Sequence, residues 1–124
     1  MEYRTLRNWK YQITKEEVCE TGIIIPSDIK TDFIELLAIG KLTLGKWYAW
    51  DGATFCPDWD SIMQPSLIHD ALCQLISEGF LPSSYQKDAD ILLKKLCIEN
   101  NMNKLQAHIV YICVRSYSKV KTSK

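Results

Sequence analysis

The chain has 124 residues, enough for one domain whose folding removes roughly two-thirds of the unfolded surface from water, so it requires neither a metal nor a disulfide to fold. Apolar residues are 47% and charged residues 24%, which excludes a disordered chain. Fifteen basic residues cancel fifteen acidic ones, so no global field draws the chain to a nucleic acid or an anionic membrane, and neither is expected as a partner.

Before Pro57, β-branched and aromatic residues alternate with polar ones. Tyr3, Thr5, Arg7, Trp9, Tyr11 and Ile13 share one face of a strand, with Leu6, Asn8, Lys10 and Gln12 on the other. "GIIIPS" reads as a short strand ended by Pro26, and "DFIELLAIGKLTLGKWYAWDG" as two or three strands punctuated by Gly40, Gly45 and Gly52.

After Pro57 the period becomes helical. Pro65 suits a first helical turn, and Leu67, Ile68, Ala71, Leu72, Leu75 and Ile76 form a stripe that ends at Gly79. Ser83 and Gln86 have capping-box spacing for a second helix, which reaches about Asn100 with Ala89, Leu92, Leu93, Leu96 and Cys97 as its core positions. Asn103 and Gln106 cap a third helix, which runs to about Ser118. It is apolar on most sides and therefore expected to be the most buried.

Residues 119–124 read as a frayed basic tail, and Arg115 is counted with its charges, Lys119, Lys121 and Lys124. Strands first and helices last predict an α+β fold: one domain over 1–124, strand-rich over 1–56 and helical over 62–118. Its small antiparallel sheet packs on three helices.

No stretch approaches the roughly 18 apolar residues of a membrane span, and Met1-Glu2-Tyr3-Arg4 opens no signal peptide. The five cysteines form no CxxC pair and are expected to be reduced thiols, mostly buried, in a chain that acts inside a cell.

The chemistry-bearing residues gather in two segments. On the first helix, His69 falls about 120° from the centre of the apolar stripe and Asp70 about 140° the other way, so neither is a core position and each needs its own partner. Asp90 lies at the margin of the second helix's stripe, within reach of a neighbouring helix. A His on one helix with an Asp on the next fixes the imidazole tautomer and keeps the other ring nitrogen basic. Asp70 and Asp51, with the backbone of Gly52 and its loop (Trp50 to Thr54), offer oxygens suited to a hard cation such as calcium. His69 as base, oriented by Asp90, beside such a cation would be a hydrolytic constellation. Each part also has a structural reading: Asp51-Gly52 as a turn, Asp58 and Asp60 as solvated or helix-starting acids, and His69–Asp90 as a hydrogen-bonded corner.

"KWYAWDGAT", Pro57, "PSLIHDALCQLI", "KDADILLKKL" and "VYICVRSYS" follow one another in an order that resembles a bacteriophage and prophage family catalogued as a domain of unknown function, family 1353. The resemblance covers about residues 40–118 and implies a phage origin; it assigns no activity. More faintly, the loop, the His-Asp dipeptide and the later Asp are similar to secreted phospholipases of the A-two class. That similarity implies Asp70 as calcium ligand, the 50–54 loop as carbonyl donor, His69 as base and Asp90 as its orienting partner. The disulfides and the multi-glycine loop of those enzymes are missing here.

Two functions are therefore expected. The first is an accessory protein that binds a host or virion partner, in the host cytoplasm or on the virion, with the His69–Asp70–Asp90 cluster at the loop/helix junction holding the loop to the helices. The alternative is a calcium-assisted hydrolase of ester-type bonds.

Overall fold

A computed structural model describes residues 1–7, 10–53 and 56–122. The fold is α+β, with strands in the first part of the chain and helices in the second, and it divides into two compact units, Met1–Gly52 and Ala53–Lys124.

In the first unit, β1 (Tyr3–Thr5), β2 (Tyr11–Ile13), β3 (Glu17–Glu20), β4 (Ile29–Lys30), β5 (Ile34–Leu36), β6 (Lys41–Leu44) and β7 (Ala49–Trp50) make two antiparallel sheets. Their orders are β1-β2-β7 and β3-β6-β5-β4. Alternation puts Ile34, Leu36, Leu42 and Leu44 on one buried face, where the register sets Ile34 opposite Leu44 and Leu36 opposite Leu42. In the other sheet Tyr3, Tyr11 and Trp50 cluster with ring centroids 5.4–5.7 Å apart.

Two strand expectations need correction. Residues 3–13 are not one strand but a hairpin, in which Tyr3 lies opposite Ile13 and the Leu6 amide donates to the Lys10 carbonyl. A period of two continues through a reversal, so alternation alone does not show where the chain turns back. Asn8 and Trp9 of that pattern lie outside the described residues. "GIIIPS" joins no sheet. Ile23 and Ile25 are buried while Ile24 is exposed, and the Ile25 amide is held by the Ala38 carbonyl.

Gly40 is required at its turn. Its φ is 101°, and a Cβ there would sit 3.1 Å from the Ile23 carbonyl oxygen. That close approach lets Thr21 Oγ1 donate to the Gly40 carbonyl at 2.6 Å.

The second unit is helical: α1 (Asp60–Ser77), a single 3₁₀ turn (Ser83–Tyr85), α2 (Gln86–Glu99) and α3 (Lys104–Thr122). α2 packs against both other helices. Its core joins Ile62 of α1, Leu93 and Cys97 of α2, Met102, and Ala107, Val110 and Val114 of α3.

α1 begins five residues before Pro65, which therefore lies inside it and not in its first turn. Buried Ile62 and Met63 extend the apolar stripe toward the N-terminus, and Asp60 complements the helix dipole there. α3 continues through Thr122, so residues 119–122 are helix where composition predicted a frayed tail. Asn103 caps it as expected, its Oδ1 accepting from the Gln106 amide at 2.7 Å.

Candidate functional site

α1, α2 and α3 each contribute a polar side chain to one carboxylate. Asp90, in the first half of α2, is completely buried. His69 Nε2–H donates to its Oδ1 at 2.7 Å, and Gln86 Nε2 donates to the same oxygen at 3.0 Å. Arg115 Nη1 donates to Oδ2 at 2.8 Å. The structure thus brings His69 and Asp90 together across two helices and adds two partners that sequence reasoning did not assign.

Gln86 was expected to close a capping box with Ser83. Neither the 3₁₀ turn nor α2 has a side-chain cap. The Gln86 amide serves the carboxylate instead, because a buried anion is a stronger acceptor than a neutral group. Arg115 was counted with the tail charges, yet it lies about 100° round α3 from buried Val114, at the margin of the core face, and its long side chain reaches back to Asp90.

The electrostatics follow from this geometry. Burial works to raise the Asp90 pKa, but the hydrogen bonds from His69 and Gln86, the His69 charge and the Arg115 hydrogen bond outweigh it, and the carboxyl is held below its ordinary value. Burial likewise works against a charged His69, yet the Asp90 hydrogen bond leads the opposing causes and raises the imidazole to about 10. At neutral pH His69 is a cation in a ring of charge: one carboxylate between an imidazolium and a guanidinium.

Cys73, one turn after His69, places its sulfur 3.7 Å from both ring nitrogens and accepts from Gln86 Nε2 at 3.4 Å. A sulfur equidistant from Nδ1 and Nε2 would clash with Cε1 if it lay in the ring plane, so it lies over the ring face. In line with neither nitrogen, it is a secondary partner of the ring, and its contact adds to the causes that raise the imidazole.

The expected cation ligands fall in different segments. Among the described residues no group of three or more His, Cys, Asp or Glu side chains could hold a metal ion. Asp51 is exposed and faces the Lys10 ammonium at 3.7 Å. Gly52 has a positive φ of 82°, as expected of a turn. Asp70 is half-buried on α1. Thr54, at the end of the proposed carbonyl loop, lies outside the described residues. Asp58 closes that segment locally, accepting from the Ala53 amide at 3.0 Å.

A second feature escaped the sequence reading. α3 was expected to be the most buried helix, but only one side of it is. Ala107, Val110 and Val114 face the core, whereas Leu105, Ile109 and Ile112, spaced i, i+4 and i+7 on the opposite side, are 71%, 53% and 50% exposed. Beside this stripe a groove of about 400 Å³ runs between residues 56–59 and α3, lined by Cys56, Pro57, Trp59, Leu105, Ile109 and Cys113 among others. The signal was present in the sequence: a helix apolar all round has either two buried faces or one buried and one waiting for a partner, and composition does not distinguish them.

The cysteines are also less buried than expected. Cys19 and Cys97 are buried, but Cys56 and Cys73 are half-buried and Cys113 is exposed.

Comparison with family models, curated proteins and solved structures returns no match to this chain. No helix among the described residues is long and apolar enough to cross a membrane.

Proposed function

We propose that this chain is a small phage-encoded accessory protein that binds a host or virion protein through the groove between residues 56–59 and α3. The observation that carries the reading is the exposed Leu105–Ile109–Ile112 stripe. Leu105 and Ile109 line the groove and Ile112 flanks it; such exposed apolar side chains are costly to leave in water, and proteins keep such surfaces where a partner covers them. The ordered resemblance over residues 40–118 supports the phage assignment and is compatible with a site of action in the host cytoplasm or on the virion.

The His69–Asp90 hydrogen bond favours the alternative, a hydrolase of ester-type bonds. Three features weigh against it: a base must be unprotonated to act, whereas this imidazole is held as a cation; its carboxylate is shared with Arg115; and the nearby thiol is out of line. The cluster is better suited to pinning three helices than to moving a proton.

The test uses tagged wild-type, Ile109→Glu and His69→Gln chains as bait in infected host cells. The captured protein is identified and the complex rebuilt from purified components. One partner held by wild type and His69→Gln but lost with Ile109→Glu is the expected result. A partner that ignores Ile109→Glu and is lost with His69→Gln would refute the groove.

A further inference from the structure

Two thiols line the groove from its two walls. Cys56 belongs to the segment before α1, and Cys113 lies on α3 next to Ile112. Both are free thiols. Cys56 is half-buried and packs on the core cluster of Ile62, Cys97, Val110 and Val114, while Cys113 is open to solvent. The two also feel each other electrostatically, since Cys113 contributes to the environment of Cys56.

The node at Asp90 uses neither thiol, and the docking surface does not explain why sulfur should stand on both of its walls. We propose that Cys56 and Cys113 form an oxidative modification site, a dithiol that thiol–disulfide exchange with a small disulfide such as glutathione disulfide converts into a bridge across the groove.

The exchange takes two steps. The Cys113 thiolate attacks one sulfur of glutathione disulfide; the Cys113–glutathione bond forms, the S–S bond of the reagent breaks, and one glutathione leaves as its thiolate. Cys56, its proton released to solvent, then attacks the Cys113 sulfur and expels the second glutathione. Two protein thiols are oxidised and one glutathione disulfide is reduced to two glutathiones.

The order of attack follows from exposure. A reagent in solution reaches Cys113 first, whereas burial, then Asp58 and Cys113, push the Cys56 thiol up and leave less thiolate to begin the reaction. Cys97 is a poor competitor. It is fully buried, and its thiol is pushed up to about 12 by burial first and Cys56 second. Resting on the docking reading, the consequence is control of that surface: the bridge ties the 56–59 segment to α3 where a partner would lie, so the oxidised chain does not dock.

The experiment is incubation of the whole chain with glutathione disulfide, an acid quench, and intact-mass and peptide analysis. Wild type should lose two hydrogens, carry no glutathione and yield a linked Cys56–Cys113 peptide. Bond formation itself reports that the two Cα atoms come within about 7 Å. Cys56→Ser should accumulate one glutathione on Cys113, and Cys113→Ser should oxidise at least about tenfold more slowly. A stable glutathione adduct on wild-type Cys113, or a bridge from Cys56 to Cys97 or Cys73, overturns the proposal. A bridged chain that still captures the partner overturns the control of docking. Failure of the reduced chain to capture any partner falls on the docking reading alone, because the mass measurement uses none.

Discussion

Asp90 is an anion with no exposed surface, and its stability depends on the three side chains that fill its lone pairs. Removing the carboxylate leaves His69 and Arg115 as facing cations, so Asp90→Ala should cost about 3–5 kcal/mol, as for other broken buried ion pairs. His69→Ala also breaks a buried ion pair and should cost nearly as much, about 3–4 kcal/mol, less than Asp90→Ala because Arg115 and Gln86 still serve Asp90. Urea midpoints of the two variants check the order, and a costlier His69→Ala would show that Arg115 does not share the charge.

The same node sets a pH dependence. His69 is raised from 6.5 to about 10 on folding, so its contribution is complete below about pH 6.5 and is lost as pH rises toward 10. Asp90 is lowered from 3.8, so its contribution is present above that value and lost as pH falls through the folded pKa. Stability should therefore be greatest between about pH 4 and 6.5 and decline on the alkaline side. Urea unfolding from pH 5 to 10 measures that decline, and His69→Gln should flatten it.

The pairing of His69 with Asp90 was legible because helix phase puts both at the margins of facing stripes. Arg115 and Gln86 were not, since each had a sufficient local explanation, as a tail charge and as a cap. Only the packing of α3 shows that one carboxylate takes all three donors.

Among the elements, α3 separates two sets of apolar residues that look alike in sequence. Ile109 is exposed, so Ile109→Glu should change stability by no more than about 0.5 kcal/mol while removing partner binding. Leu93, in the α2 core, should lose about 2–5 kcal/mol on change to alanine, through lost burial and the cavity left behind. Thermal melts of the two variants distinguish the faces, and a strongly destabilised Ile109→Glu would mean that the outer stripe belongs to the core.

The turn at Gly40 offers a third check. Gly40→Ala meets the Ile23 backbone at 3.1 Å and a left-handed φ, so a loss of about 1–3 kcal/mol is expected in the same melts. Helix stripes were legible because a period near 3.6 identifies the buried side directly. Helix starts were less so: Pro65 suggested a first turn, but burial of Ile62 and Met63 moved the start to Asp60. The strands of 2–4 residues carry too few alternations to mark the reversal between β1 and β2 or to bring residues 22–27 into a sheet.

At the scale of the whole molecule, composition indicated a chain able to fold without metal or disulfide, and strand-then-helix order indicated α+β. With fifteen charges of each sign and a pI near 6.7, the chain has little self-repulsion near neutrality. Solubility should pass through a minimum close to that pH, which turbidity at high concentration would show.

We propose a division of labour in which the buried charges at Asp90 hold the helices together and the outer face of α3 is left for a partner. It depends on His69 being a structural cation and not a base. NMR titration of the His69 imidazole in ¹⁵N-labelled chain, from pH 5 to 10.5, tests this directly. The account predicts that His69 keeps both ring protons through neutrality and titrates near 10. A transition between about pH 6 and 7, ending in a neutral ring with only Nε2 protonated, would contradict it and return the site to catalysis.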